Sequence, residues 1–231
     1  MGAPFLGILQ VPTSFHRPRG DVGNLETWSI PVKIRVVTEV ANDDVVREST
    51  GYKESFIEAW IKTALELVSE GAVAIITSCG FLATIHPLLQ ERVPVPVGTS
   101  SLIQIPWAQS IIGKNKKLGI LTFDAKYLGS EHLKAVGVDY HVPIVGVKQG
   151  GVFHQVLREG LEYNFKRIED EVVEAAVKLV NQNPDLGGIV LECTNIPPFK
   201  RAIFEKVGLP IWDIITLGNY LFSAALPENY S

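Results

Sequence analysis

The sequence contains two cysteines, Cys79 and Cys193, and both stand at the same point of the same local pattern. The stretches AIITSCGFLA (74–83) and GIVLECTNIP (188–197) are apolar runs that reach the cysteine and continue with small or helix-starting residues. A thiol has an ordinary pKa of about 8.5, so a modest downward shift makes it a base near neutral pH. Two thiols on opposite faces of one ligand can remove a proton from carbon on one side and return one on the other.

The elements that must position these thiols belong to an internal sequence repeat. The motif LGIL occurs at 6–9 and again at 118–121, a displacement of 112 residues, and the two cysteines are 114 residues apart. A proline opens a further apolar run 17 residues after each cysteine, at Pro96 and at Pro210. Because these landmarks keep their order and a nearly constant spacing, the sequence predicts a duplicated α/β half.

Short runs rich in valine and isoleucine alternate with amphipathic stretches in both halves. The runs predicted as buried strands are 5–11, 33–40, 72–79, 93–98, 117–123, 141–147, 187–193 and 210–214. The stretches predicted as helices are 52–71, 167–182 and about 215–226. Strands that alternate with helices form parallel sheets with right-handed crossovers.

The predicted fold is therefore α/β, with two pseudo-symmetric three-layer lobes, each a short parallel sheet flanked by helices. The first lobe is expected at 1–98 plus 211–231 and the second at 99–210. Parallel sheets bind ligands at the carboxyl ends of their strands, where both cysteines stand. We therefore expect the active site in the cleft between the lobes.

The residues after each cysteine predict how the thiols are activated. Thr194 or Asn195 is expected to cap a helix whose first turn holds the prolines at 197–198. Gly80 is expected to let the backbone approach a ligand closely. Unpaired N–H groups at such helix starts lower the pKa of a thiol and hold a substrate carboxylate. No metal or organic cofactor is required for this proton transfer.

These features make the chain similar to the aspartate/glutamate racemase superfamily, which includes hydantoin and allantoin racemases, maleate isomerases and arylmalonate decarboxylases. The resemblance covers nearly the whole chain and is carried by four stretches: LGIL in the first strand, TSCGF, LECTNIP and the closing LPIWDIITLGNYLFSA. It implies that Cys79 and Cys193 are the catalytic acid/base pair. It further implies that the substrate is bound by Thr13, Ser14, Gly80, Asp124, Thr194 and Asn195.

Several positions depart from that family's pattern. Gly80 and Phe81 follow the first cysteine, where amino-acid racemases usually carry Asn-Thr, and Glu192 replaces a usual glycine. Asn195 stands where glutamate racemases have His and aspartate racemases have Glu. These departures disfavour a standard glutamate or aspartate racemase. A decarboxylase of the arylmalonate type is disfavoured because those enzymes keep the second cysteine alone.

The long loop at 12–32 contains two arginines. Arg17 and Arg19 could reach a substrate carboxylate, but we expect them to be solvated, since loop arginines usually are.

The function predicted from the sequence is a cofactor-independent racemase or epimerase, an isomerase that uses the two cysteines on a small carboxylate-bearing or hydantoin-like substrate. Two alternatives stay open. The first is a maleate-type cis–trans isomerase in which a cysteine adds to the substrate as a nucleophile. The second is a non-catalytic small-ligand-binding protein whose cysteines pack or pair as a redox disulfide.

The composition excludes several other classes. The 231 residues carry a formal net charge of −4, with 46% hydrophobic and 20% charged residues, and no basic cluster indicates binding to nucleic acid or a membrane surface. No apolar run reaches the roughly 18 residues that a membrane span needs, and the N-terminus lacks signal-peptide features. The five histidines have no metal-ligand spacing. We therefore expect a cytoplasmic protein with reduced thiols and no metal, and a homo-oligomer is compatible with the resemblance.

Overall fold

Each half of the chain folds around its own parallel sheet. The computed structural model describes residues 3–38, 45–46 and 49–227. The first sheet has the order β2-β1-β3-β4 and consists of β1 (Phe5–Gln10), β2 (Val32–Val36), β3 (Ala72–Thr77) and β4 (Val97–Gly98). The second has the order β6-β5-β7-β8 and consists of β5 (Lys117–Thr122), β6 (Ile144–Gly146), β7 (Leu186–Leu191) and β8 (Ile211–Trp212).

The two sheets share details of strand order and register. The LGIL motifs lie in β1 and β5, each of which pairs in parallel with two neighbours at the equivalent place in its sheet. Both strands shift register at their starts, between Phe5 and Leu6 and between Lys117 and Leu118. The predicted α/β fold of two similar lobes is thereby confirmed.

Helices cover both sheets because each buries one apolar stripe. The helices of the described residues are α1 (Glu54–Ser69), α2 (His86–Arg92), α3 (Ile105–Ile111), α4 (Ser130–Ala135), α5 (Val152–Glu159), α6 (Phe165–Gln182), α7 (Lys200–Val207) and α8 (Ile214–Ala225). The long helix α1 buries Phe56, Trp60 and Leu67 against the first sheet, and α6 buries Val172 and Leu179 against the second.

The strand ends differ from the prediction in a way that matters for the site. The runs at 72–79 and 187–193 were expected to be strands up to the cysteine, but β3 and β7 end at Thr77 and Leu191. Each cysteine therefore lies in a loop two residues beyond its strand. The predicted strand at 93–98 is reduced to β4, and residues 39–40 of the predicted strand at 33–40 lie outside the described residues.

The last part of the chain crosses from one sheet to the other. Strand β8 pairs with β7 of the second sheet, although the predicted first lobe resumes at 211. Helix α8, which follows it, packs against the first sheet, where Leu217 and Phe222 join a cluster with Leu6 and Trp28. The chain thus returns to the first sheet after β8 rather than before it.

No helix of the described residues is long and apolar enough to cross a membrane. The cytoplasmic location stays a prediction.

Candidate active site

The two cysteine loops meet at one cavity of about 100 Å³, between the carboxyl ends of the two sheets. Cys79 and Cys193 both line it. Four of the six residues predicted to bind substrate also line it, namely Thr13, Gly80, Thr194 and Asn195. The fold has therefore brought residues that are 114 positions apart to a common concave surface.

The halves are held together beside this cavity by direct contacts between the loops. The hydroxyl of Thr194 donates a hydrogen bond of 2.6 Å to the carbonyl of Ser78. Gly80 lies so close to the other loop that a Cβ atom there would stand 2.3 Å from the carbonyl oxygen of Glu192. Gly80 thus allows a close backbone approach, here between the loops of the two lobes.

Burial dominates the electrostatics of Cys79. It raises the pKa of this thiol to about 12, and the neighbouring Glu192 also raises it. The backbone N–H of Phe81, the charge of Arg17 and the backbone N–H of Leu82 lower the pKa, but they do not offset burial. The lowered thiol pKa predicted from the loop sequence is therefore wrong, because the effect of burial on the half-buried Cys79 exceeds that of the donors.

Cys193 has a similar environment. Burial and Glu192 raise the pKa of its thiol well above the ordinary value, and the backbone N–H of Asn195 lowers it. The charge on Cys79 also raises this pKa, so the two sulfurs lie within electrostatic reach of each other. The Cys193 thiol donates to Asn195 Oδ1 over 3.8 Å. Asn195 Nδ2 in turn donates to Asp21 Oδ2 at 2.7 Å, which holds the amide in this orientation.

The helix after Cys193 is not capped by the residues predicted from the sequence. Neither Thr194 nor Asn195 caps a helix, because their side chains bond to Ser78 and Asp21 instead. The helical turn begins at Pro197, after Ile196, and has no side-chain cap bond. The prolines at 197–198 do occupy its first turn, as predicted.

Glu192 places a carboxyl group directly between the cysteine loops. Its side chain is fully buried, and burial raises its pKa to about 7. The hydroxyl of Thr122 donates to Oε2 at 2.5 Å, while no group of the described residues donates to Oε1. A carboxyl with a pKa near neutrality and one free oxygen in a cavity is a group that can accept a proton or balance a cation.

Arg17 brings a guanidinium to the first-lobe side of the cavity. Its side chain is 11% exposed, forms an ion pair with Asp21 at 2.8 Å and donates to Thr13 Oγ1 at 2.7 Å. The expectation that Arg17 is a solvated loop arginine is therefore wrong. Arg19 is exposed, as expected, and does not line this cavity of the described residues.

Arg158 brings a second guanidinium from α5 in the other lobe. It lies 5.2 Å from the centre of the Phe123 ring, and its Nη2 is 3.7 Å from Asp124 Oδ2. That separation is too long for a hydrogen bond, so Nη2 has no hydrogen-bond partner among the described residues. This donor is available to a ligand.

Two predicted site residues do not line the cavity described here. Ser14 is exposed, because the loop turns its neighbours Thr13 and Phe15 inward instead. Asp124 is buried behind the cavity, where it accepts a hydrogen bond from Gln149 at 2.8 Å and lies beside Arg158. Asp124 therefore positions Arg158 rather than reaching a ligand itself.

Sequence reasoning missed Glu192, Arg158 and Phe123 as site residues. Glu192 had a readable signal, since a carboxylate next to a cysteine at the end of an apolar run needs a reason to be buried. Arg158 had none, because a single arginine on a short helix is ordinary surface composition. Within the described residues, no cluster of three or more His, Cys, Asp or Glu side chains is arranged to hold a metal ion.

Comparison with known proteins adds sequence relatives. A dimethylsulfoniopropionate lyase from Durusdinium sp. clade D is 28% identical over 223 residues, which cover 93% of this chain and 73% of the relative. Dimethylsulfoniopropionate lyase 7 from Emiliania huxleyi is 25% identical over 240 residues, 98% of this chain and 68% of the relative. No family model matches the chain.

The sequence relatives correct the predicted activity. They carry the names of lyases, whereas the sequence predicted a racemase or epimerase and, as an alternative, a cis–trans isomerase. The predicted racemase function and the isomerase class are therefore wrong.

Solved structures resemble the chain in fold. Unliganded arylmalonate decarboxylase has a TM-score of 0.63 at 16% identity, covering 98% of this chain and 94% of that one. Glutamate racemase from Francisella tularensis in complex with D-glutamate has a TM-score of 0.54 at 15% identity, covering 98% and 84%. The chain accordingly has the fold of the aspartate/glutamate racemase superfamily, as its two cysteine loops predicted.

Proposed function

We propose that this protein is a cofactor-independent lyase that eliminates the dimethylsulfonium group of dimethylsulfoniopropionate. The observation that carries the proposal is the cavity itself, in which two thiols and two guanidiniums face one small space. The similarity to dimethylsulfoniopropionate lyases over 93% and 98% of the chain supports the choice of substrate.

The reaction that this name describes suits such a site. A base removes one proton from the carbon next to the carboxylate. The electron pair of that C–H bond forms the double bond to the neighbouring carbon, whose bond to sulfur breaks. Sulfur leaves with the bonding pair as neutral dimethyl sulfide, and acrylate remains. The proton stays on the base until solvent takes it, so the step needs neither oxidant nor metal.

The two arginines are the groups proposed to bind the substrate carboxylate. Guanidinium binds carboxylate through paired N–H donors, and Arg158 Nη2 has no other hydrogen-bond partner among the described residues. Arg17 is held by Asp21, so its direction is fixed before the substrate arrives. Charge that moves onto the carboxylate as the proton leaves is stabilised by the same donors.

One of the two thiols is proposed as the base and the other as a donor to the developing charge. Burial keeps both thiols protonated in the empty cavity, since it raises the pKa of each. A sulfonium cation brought beside them lowers those pKa values, because it favours the charged thiolate. The substrate would then promote the ionisation of its own base.

The direct test is to incubate the protein with dimethylsulfoniopropionate and to measure dimethyl sulfide by gas chromatography and acrylate by proton NMR. We expect equal amounts of both products. Arg17→Gln is expected to be impaired, whereas Arg19→Gln, in the same loop but outside the cavity, serves as the matched control. If wild-type protein at millimolar substrate releases neither product above a heat-inactivated sample, the proposed function is wrong.

A further inference from the structure

The charged groups around the cavity are separated by sign. Arg17 and Arg158 each have their own acidic neighbour, Asp21 and Asp124, and neither acid lines the cavity. Glu192 has no such neighbour: no cation of the described residues forms an ion pair with it, and burial is what raises its pKa. The cavity thus has two guanidiniums with partners and one carboxyl without a cationic partner.

The position of the Glu192 side chain is fixed by its neighbours. Thr122 fixes Oε2, which leaves Oε1 without a partner among the described residues. The space for Oε1 exists because residue 80 is glycine: a Cβ there would lie 2.3 Å from this oxygen. A buried carboxylate oxygen without a donor is costly, so a site that keeps one is suited to a ligand that brings the missing positive charge.

The aromatic residues of the cavity divide in the same way. Phe15 lies 4.6 Å from the guanidinium carbon of Arg17, and Phe123 lies under Arg158. Phe81, which directly follows Gly80, makes its ring contact with the edge of His132 instead of with a cation. Phe81 is buried and borders the cavity beside the loop of Glu192. Aromatic rings are the usual partners of methylated onium groups in proteins.

We propose that Glu192 is a specificity residue that recognises the onium cation of a zwitterionic substrate, so that the site takes short carboxylates with a permanently charged sulfonium or quaternary ammonium group at the far end. This inference rests on the proposed function for the carboxylate end. It adds that the cation, and not only the acid, is required for tight binding. A neutral molecule of the same shape would leave Oε1 buried without any partner.

The recognition should depend on pH, because Glu192 must be ionised to attract a cation. The groups that face it are the Cys79 and Cys193 thiols and the Thr122 hydroxyl. In the empty cavity both thiols stay protonated near neutrality, and the hydroxyl does not titrate, so Glu192 is the group that changes charge there before a ligand binds. Preference for the cation is therefore expected to rise as the pH increases through about 7.

Two carboxylates of the same shape test this directly: 3-(trimethylammonio)propionate and its carbon analogue 4,4-dimethylpentanoate, which lacks the cationic centre. Isothermal titration calorimetry at pH 8 should give wild-type protein a preference of about tenfold or more for the cation, as expected for a desolvated charge pair. Glu192→Gln should lose this preference, because the affinity for the cationic ligand falls. Glu192→Asp keeps the charge and should keep part of the preference.

The outcomes separate this inference from the proposed function. Equal affinities in wild-type protein, or a preference that survives in folded Glu192→Gln, overturn the role of Glu192 even if dimethyl sulfide is released. A preference that disappears with Glu192→Gln supports the role even if no product forms, since binding is measured without turnover. Circular dichroism of each variant establishes that it is folded.

Discussion

The loop after β3 and the loop after β7 have the same backbone plan but different chemistry. Both begin one residue before a cysteine, and both run into a short helical turn. At the position before the cysteine, the first loop has Ser78, whose hydroxyl accepts a hydrogen bond from the backbone N–H of Val11 at 2.9 Å. The second has Glu192 at the equivalent position, and its carboxyl enters the cavity.

The two loops therefore place their cysteines alike, but the residues before the cysteines make the site asymmetric. A symmetric pair suits a reaction that must run equally well from either face of a carbon atom. A site with a carboxyl on one loop and a serine on the other is directional. Such a site suits a substrate whose two ends differ in charge, as in the elimination proposed above.

The largest expected effect comes from replacing either sulfur. Cys79→Ser and Cys193→Ser should each lower kcat/KM for dimethyl sulfide release by about 10³-fold, because a serine is a poor base and a general base contributes 10²–10⁴-fold. The larger of the two losses identifies the base. Comparable activity in both variants and wild-type protein would contradict a role for the thiols.

The carboxyl of Glu192 should also make the free energy of unfolding depend on pH. The pKa of Glu192 is raised from 4.5 to about 7 in the folded protein, so the folded state binds the extra proton between these values. Stability should therefore be highest at low pH and fall as the pH rises through that window, by about 3 kcal/mol for this group. Urea unfolding of wild-type protein and Glu192→Gln at pH 5 and 8 measures the difference between the two slopes. A difference that does not change with pH would contradict this interpretation.

Variants of Arg17 and Arg158 compare the contributions of the two lobes to substrate binding. Arg17→Gln should raise KM by about tenfold to a hundredfold, because a charge-assisted hydrogen bond contributes about 1.5–3 kcal/mol. Arg158→Gln should have the smaller effect, since its side chain is 22% exposed and the side chain of Arg17 is 11% exposed. The reverse order in steady-state kinetics would assign the carboxylate to the second lobe.

The smallest expected effect tests the junction between the loops. Thr194→Val removes the hydroxyl that donates to the Ser78 carbonyl and should lower the free energy of unfolding by about 1 kcal/mol. Thr63→Val is a matched control, because its hydroxyl bonds to Ala59 within α1 and links no two elements. Equal losses in chemical denaturation would show that the junction is not special.

Much of the fold was readable in the sequence because burial on both faces leaves a strand continuously apolar. The strands around LGIL and the long helices α1 and α6 follow from such patterns. Three short helices, α3 to α5, were missed because six to eight residues give little periodicity. Strand β8 extends the second sheet and α8 then packs on the first, and this return depends on tertiary packing, which is not a local property of the sequence.

Site residues could be predicted where they belong to a local sequence motif. Properties that depend on burial could not be predicted. The sequence predicted both cysteines and four further residues that line the cavity. The thiol pKa values and the burial of Arg17 depend on how deeply the lobes close over the loops, which no spacing reveals. Arg158 arrives from α5 by tertiary packing alone.

The glycine after the first cysteine determines how closely the two cysteine loops approach each other. The obstacle to a larger residue at position 80 is the Glu192 carbonyl oxygen as well as its side chain, so no rotamer change can relieve the clash. A protein of this fold with a side chain at that position must hold its halves farther apart or bend one loop away. Because Gly80 has no side chain, the two loops can approach each other closely. Replacing Gly80 alone should widen the space between the two sulfur atoms and favour bulkier ligands over small ones.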